Sequence, residues 1–402
     1  MAATAFSDLR VMIVGVKWPP ETFLTRLMHG LAGRGVHVTL AAPRRADAQW
    51  RDISNVDILV TPGWDGSAAR RLWRTGRRLG GAMTRSLPET RRLLAAARGG
   101  EQSALPIERL HRWLPFAGRD WDVLYFPWNA TAVAYLPLMD GRPTVISCRG
   151  AQINVSPHNP QRTALRDGLP VTFARAAAVH CVSEAIRDEA TRYGLDPAKA
   201  TVIRPAVDPA VFRPADGPRA PSKRLSVVST GDVIWRKGYE YALTAIRLLV
   251  DQGVPVHFDI IGSGRENQRL LYTIQDLQLD DHVTWHGRLA PAEVVRRLQA
   301  ADVCLLSSLS EGISNAVLEG MACGLPAVTT DVGGMREAVS DGVEGFLVPA
   351  RDPAATADAL AELWRRPELR ATMGAAGRAR VMTDFRLANQ VDAFVRLFGS
   401  VA

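Results

Sequence analysis

Short apolar blocks alternate along the chain with helix-like stretches. The first half carries "RVMIVGV" at 10–16, "VHVTLAAP" at 36–43, "VDILVTP" at 56–62, "VLYFPW" at 123–128, "TVISC" at 144–148 and "AAVHCVS" at 177–183. The second half carries "LSVVST" at 225–230, "VHFDIIG" at 256–262, "VTWHG" at 283–287, "ADVCLLSS" at 301–308, "PAVTT" at 326–330 and "GFLVP" at 345–349. Strand-like runs separated by helical stretches indicate βαβ units, and so a parallel sheet covered on both faces. The pattern predicts an α/β protein with two doubly wound parallel-sheet domains.

Between the halves lies "RPAVDPAVFRPADGPRAPSKR" at 204–224, whose five prolines can continue neither a helix nor a central strand. The expected division is therefore 1–205 for the first domain, 206–224 for the linker and 225–384 for the second domain, with 385–402 as a terminal segment. Two such domains facing each other would form a cleft at the carboxyl ends of their strands, where open α/β sheets bind ligands.

Composition narrows the function classes. The 402 residues are 47% apolar and 22% charged, in keeping with a soluble globular protein. No apolar run approaches the roughly 18 residues needed to span a bilayer. The N-terminus lacks the layout of a signal peptide, so the expected location is the cytoplasm. Cys148, Cys181, Cys304 and Cys323 are widely spaced in apolar contexts and read as buried thiols, not as a metal site or disulfide framework.

The net charge of +8 is unevenly spread, because residues 65–98 hold nine arginines against only two acids, Asp65 and Glu89. This segment reads either as a solvated helical face or as a patch for anionic lipid, the second placing the protein at the inner face of the plasma membrane. Nucleic acid is not an expected partner, since its binders usually interleave aromatic side chains with the basic ones.

Candidate chemistry concentrates in the second half. The strand "VCLLSS" is followed by the loop "LSEGI" and a helix expected from Ser314, a good N-cap residue, to a stop at Gly324. Free backbone amides at such a helix start suit a diphosphate. Glu311 in the loop and Glu319 inside the helix then bracket that position, and carboxylates accept bonds from sugar or ribose hydroxyls. Taken alone, the two glutamates read better as a helix-capping residue, Glu311, and a solvated helix residue, Glu319. Arg236 and Lys237 in "WRKG" and the glycines Gly262 and Gly264 in "GSG" stand at two further strand ends of the same half, and both turns suit phosphate.

The stretch "SSLSEGISNAVLEGMACGLPAVTTDVGGMREAVSDGVEGFLVP" resembles the Glu-x7-Glu region of retaining glycosyltransferases of family 4. The stretches "TGDVIWRKGYEYALTAI", "IIGSGREN", "VTWHGRL" and "VHCVSEAIRDEATRYGLDPAKATVIRPAVDPAVFRP" are similar to the same family. The likeness covers residues 171–385 well and the first 170 loosely. It implies the GT-B architecture of two Rossmann-like domains, with 385–402 as a terminal helix packing back on the first. It also implies that Glu311 holds the donor sugar, Glu319 the ribose, and Lys237 with Arg236 the diphosphate. Amides of Gly312, Ile313, Ser314 and Asn315 would line sugar and phosphate. Arg288 would stack on the base, or else be a solvated loop arginine.

Three departures from the family pattern stand out. Asp232 occupies the place where many members have arginine, a charge that Arg236 could supply. The opening loop reads "KWPPETFLTRL" in place of a glycine pair, resembling the exopolysaccharide and colanic-acid branch. There Lys17, Glu21 and Thr22 would face donor or acceptor, unless Glu21 merely complements a helix dipole in its first turn. Arg149, in "SCRGAQIN", stands where the family usually has histidine. An arginine cannot act as a base but can bind phosphate or sugar oxygen. By sequence His158 and His180 are the nearest substitutes, His180 reading as a core residue. "DWD" at 120–122 looks like a metal signature but precedes a strand, so no metal and no cofactor beyond the donor substrate is expected.

The expected activity is retaining, metal-independent transfer of a hexosyl unit from a UDP- or GDP-linked sugar to a hydroxyl of a glycan, glycolipid or small aglycone. An epimerase of the same architecture and a non-catalytic, membrane-associated sugar-nucleotide-binding scaffold are the alternatives.

Overall fold

The structure is a computed structural model that describes residues 8–43, 53–61, 63–99, 104–217 and 223–402. Pro62, at the end of the third apolar run, and residues 218–222 of the linker lie outside the described residues. The chain divides into two compact units, Met1–Ile203 with Val391–Ala402 and Arg204–Gln390.

Among the described residues the first unit holds seven strands: β1 (Arg10–Ile13), β2 (His37–Ala42), β3 (Val56–Val60), β4 (Val123–Phe126), β5 (Thr144–Cys148), β6 (Ala178–Cys181) and β7 (Ala200–Val202). They pair in the order β3-β2-β1-β4-β5-β6-β7, every pairing parallel. The hydrophobic pattern does not reveal β7, because its three residues are half-buried at the sheet edge and lack a continuous apolar run. In the last helix, Leu387–Val401, the part from Val391 onward belongs to this unit. Phe394 and Phe398 set their rings 5.9 and 5.2 Å from that of Tyr125.

The second unit holds β8 (Leu225–Thr230), β9 (Val256–Ile261), β10 (Val283–Gly287), β11 (Val303–Leu306), β12 (Ala327–Thr330) and β13 (Gly345–Val348), in the order β10-β9-β8-β11-β12-β13. All are again parallel. Alternate residues of one strand serve opposite faces, as the period of two demands. Val227, Val303 and Leu305 join one buried cluster, while Val228, Cys304 and Leu306 join the other. Both faces are thus apolar, which is why these strands read as continuous runs in the sequence.

In each sheet the first strand of the unit sits between strands whose connections wind in opposite directions. That reversal falls between β1 and β4 in the first unit and between β8 and β11 in the second. The loops leaving adjacent strands there diverge to opposite faces, opening a crevice at the carboxyl ends. Among the described residues, no helix is long and apolar enough to cross a membrane.

Candidate active site

The reversal point of the second sheet brings together residues that are 74 positions apart. After β8 the chain makes the short 3-10 turn Trp235–Lys237 and enters the helix Tyr239–Asp251 through Gly238. Gly238 has φ +58°, and a Cβ there would stand 2.3 Å from the carbonyl oxygen of Ser307, so only glycine lets the two loops approach this closely. The approach is stitched by Ser307 Oγ donating to the Lys237 carbonyl at 2.9 Å and by Leu309 N–H donating to the Arg236 carbonyl at 2.7 Å. It places Lys237 Nζ 2.6 Å from Glu311 Oε1, with the two side chains 16% and 12% exposed. Ser308 Oγ donates to the same oxygen at 2.7 Å. Thr330 of β12 anchors Ser308 in turn, its hydroxyl donating to the Ser308 carbonyl. Arg236 is half-buried beside this pair.

The turn after β9 closes on the same region. Gly262 has φ +141°, and a Cβ would lie 1.7 Å from the Gly231 carbonyl oxygen, while at Gly264 it would meet Val233 O at 2.1 Å. Backbone from the ends of β8 and β9 is therefore pressed together. Trp285 Nε1 donates to Gly262 O at 2.8 Å and Gly262 N–H donates to Gly287 O at 2.8 Å, tying the "GSG" turn to β10. Beyond β10, Arg288 faces Asp232 at 3.7 Å, with side chains 78% and 66% exposed. Asp232, which stands where arginine is usual, is thus accompanied by a cation from another loop.

The helix predicted from Ser314 runs over Asn315–Ala322, and Gly324 follows with φ +80°. Ser314 is the N-cap residue, but its side chain makes no capping bond. It is buried at 4% exposure, and its amide donates to Met335 Sδ, 3.4 Å away. Gly312 and Ile313 are buried and Asn315 is exposed. The Gly312 carbonyl accepts from Gly334 N–H at 2.7 Å, which holds the loop in place. Glu319 lies half-buried inside the helix. Cys304 and Cys323 have thiol pKa values pushed up to about 12, by burial first, with the Glu319 charge adding to both. All four cysteines are buried as free thiols.

In the first unit, the predicted residues cluster at the carboxyl end of its sheet with a different character. Glu21 is the N-cap residue of the helix Thr22–Ala32, not a member of its first turn, and its side chain makes no capping bond. Its Oε2 is buried with no hydrogen-bond partner among the described residues. Lys17 and Thr22 are exposed. Arg149, just beyond β5, lays its guanidinium 4.3 Å from the centroid of the Phe23 ring, and Phe23 packs edge-on against Trp128 at 5.6 Å. Arg149 Nη2 donates to Tyr125 Oη at 3.3 Å, while its Nε is buried with no partner among the described residues.

Tyr125 continues a buried chain. Its hydroxyl lies 2.7 Å from Ser147 Oγ, which lies 2.7 Å from His180 Nδ1, and His180 Nε2 lies 2.8 Å from the carbonyl oxygen of Ile203. A carbonyl can only accept, so Nε2 carries the proton, Nδ1 accepts from Ser147, and Ser147 accepts from Tyr125. Burial, and then the Arg149 charge, pull the His180 pKa down from 6.5 to about 3. His180 is a neutral core histidine that props Arg149 through two hydroxyls. His158 is exposed in the turn Ser156–His158, 3.5 Å from Tyr193 Oη. Asp120 and Asp122 of "DWD" both hold Arg10, at 2.8 and 2.7 Å.

Sequence reasoning missed Ser308 and Tyr125. The "SS" ahead of "LSEG" was a signal for the first, since a hydroxyl three residues before a carboxylate at a strand end can reach it. For Tyr125 there was none, because an apolar strand hides the polar tip of a tyrosine.

Comparison with known proteins bears on the family and the fold. The family described as Glycosyltransferase Family 4 matches residues 20–211, and that described as Glycosyl transferases group 1 matches residues 216–380. The D-inositol 3-phosphate glycosyltransferase of Frankia alni is 36% identical over 205 residues, 46% of this chain and 50% of that protein. The putative colanic acid biosynthesis glycosyltransferase WcaL of Salmonella typhimurium is 37% identical over 178 residues, 43% of this chain and 44% of that protein. The chain thus spans about half the length of the curated relatives it matches. Among solved structures, Anabaena HepE in complex with UDP-glucose superposes with a TM-score of 0.70 at 15% identity, covering 98% of this chain and 100% of that one. Two glycosyltransferase family matches that together cover most of the chain, on two parallel-sheet units, show that the chain belongs to the glycosyltransferases and has the GT-B architecture.

Proposed function

We propose that the protein is a retaining hexosyltransferase that uses a UDP- or GDP-linked sugar and an acceptor hydroxyl on a glycan, glycolipid or small aglycone. Its setting would be cell-envelope polysaccharide or natural-product synthesis at the cytoplasmic face of the membrane. The observation that carries the reading is the Lys237–Glu311 pair at the reversal point of the second sheet, beside a glycine turn and a helix start. Relatives named for colanic acid biosynthesis and a structural neighbour holding UDP-glucose support the choice of donor class.

In this reading Glu311 accepts bonds from sugar hydroxyls and Glu319 from the ribose, while Lys237, Arg236 and the amides of 312–315 surround the diphosphate. The bond between the anomeric carbon and the phosphate oxygen breaks, its electron pair leaving with the phosphate. The acceptor oxygen bonds to that carbon on the same face, and its proton passes to the departing phosphate oxygen. Lys237 and Arg236 stabilise the charge that grows there, which is the larger part of what such a transfer asks of a protein. Neither His180 nor His158 is needed as a base. Arg149 and Glu21 would hold oxygen atoms of donor or acceptor. The positive charge comes from side chains, so transfer should proceed in the presence of a chelator.

The test is incubation of purified protein with labelled nucleotide sugars, with and without lipid-linked acceptors, and NMR assignment of the anomeric product. Transfer with retained configuration is expected. An inverted product, turnover to an epimer without acceptor, or binding without turnover would each overturn the proposal.

A further inference from the structure

The arginines concentrated in the first unit do not all face open solvent. Arg74, Arg77, Arg78 and Arg85 of the helix Ala68–Arg85, with Arg119 from the turn beyond Phe116, line a cavity of about 480 Å³. Separated by three, four and eleven positions from Arg74, the helical four share one face. Trp73 completes the wall, and Arg77 lies 5.3 Å over its ring.

Among the described residues lining this cavity there is no carboxylate. Asp65, outside the lining, holds Arg74 at 3.0 Å. Arg85 donates to the carbonyls of Ala117 at 2.8 Å and Leu114 at 3.2 Å, and Arg119 to that of Pro115 at 2.9 Å. A carbonyl fixes a guanidinium in place without cancelling its charge. Burial, then the charge of Arg74, draw the Arg78 pKa down to about 10, and burial, then Arg119, lower that of Arg85. Like charges are therefore held together at a cost. A concave site of one sign focuses its field on an incoming anion, and guanidinium forks pair bidentately with phosphate. The volume falls in the range of about 300–1,000 Å³ usual for small-molecule sites.

From this geometry we infer that the cavity is a second anion site that takes a phosphate monoester or diphosphate group. It is built wholly within the first unit and does not rest on the donor reading of Lys237 and Glu311. Trp73, in the wall itself, is 64% exposed, which gives an apolar carrier of the phosphate a surface to lie on. The phosphate group is either a lipid headgroup or part of a soluble ligand, and the experiment separates these sources.

Titration calorimetry with inorganic pyrophosphate is run at about 0.15 M salt on the Lys237→Ala protein, which silences the donor site. The same protein is then pelleted with neutral phosphatidylcholine vesicles and with vesicles containing phosphatidic acid. The control is Arg77→Glu/Arg119→Glu in the same background, at two exposed positions, with circular dichroism to verify folding. Pyrophosphate should bind once per chain, and about ten-fold or more weaker to the control, since each reversal removes charge-assisted bonds and adds repulsion. Pyrophosphate binding without vesicle binding identifies a soluble ligand. Pelleting with phosphatidic acid that pyrophosphate displaces identifies a lipid headgroup. No binding of either probe, equal binding by the control, or pelleting that pyrophosphate leaves untouched overturns the inference.

Discussion

At the carboxyl end of the second sheet the charged groups are matched to one another, Lys237 and Glu311 lying 2.6 Å apart with Ser308 on the same carboxylate oxygen. At the corresponding end of the first sheet, Glu21 Oε2 and Arg149 Nε are buried with no partner among the described residues. An ion pair braced by hydroxyls and pressed glycine turns holds its geometry before any ligand arrives. A buried donor or acceptor left unmatched costs on the order of 1–3 kcal/mol, a debt that a ligand bearing complementary hydroxyls would relieve. On the proposed function, the difference teaches that the carboxyl end of the second sheet is preformed for the charged donor, whereas that of the first sheet keeps hydrogen-bonding capacity in reserve for hydroxyls of a ligand.

The comparison breaks most sharply at the ion pair. Lys237→Ala and Glu311→Gln should each lower kcat by roughly 10²–10³-fold or more, the scale for losing one electrostatic contact to a developing charge. Because the pair is mostly buried, Lys237→Ala should also lower Tm, and thermal scans beside initial rates would separate the two losses. Rates near that of the unaltered protein in either variant would remove the second sheet from the chemistry.

Arg149 tests the other side. Arg149→Ala should reduce kcat/KM by about 10–100-fold, and Arg149→Lys should restore little of it. An ammonium keeps the charge but lacks the planar fork that lies over Phe23 and reaches Tyr125. Donor hydrolysis in the absence of acceptor should change less than transfer. An equal loss in both would place Arg149 with the donor.

A smaller effect concerns pH. His180 has a folded pKa lowered from 6.5 to about 3, so between these values the unfolded chain binds the extra proton. Its contribution to stability is complete above pH 6.5 and falls as the pH drops through that window, by at most about 1.4 kcal/mol per pH unit. Thermal scans from pH 7 to 4 should show a shallower acid decline for His180→Gln than for the unaltered protein. Parallel declines would mean that His180 is not the neutral prop of Arg149.

The smallest effect is expected at Arg288. Its contact with Asp232 is long and exposed, so Arg288→Ala should change stability by less than about 0.5 kcal/mol. Donor KM should rise only a few-fold if Arg288 touches the base, and an unchanged KM would leave it a solvated loop residue.

Twelve of the thirteen strands among the described residues were legible in the sequence because each is a short block rich in apolar and β-branched residues. Of these, β4, β5, β11 and β12 are buried at every position, whereas the edge strands β3 and β10 are largely half-buried. Gly238, Gly262 and the residues around Glu311 were legible as types, since turns at strand ends demand glycine, charge and hydroxyl. Partnership was not. That Lys237 meets Glu311, that Ser308 shares its oxygen, and that Arg149 rests on Phe23 and Tyr125 all follow from strand order and loop approach. So does the gathering of Arg119 with the arginines of Ala68–Arg85. The physical reason is that apolar periodicity is a local property of the chain, set within a few residues, whereas β8 lying beside β11 joins positions over seventy residues apart. Local pattern determined which elements form and what chemistry each end can offer. Only the tertiary structure decided which of these groups would be matched and which would be left without a partner among the described residues.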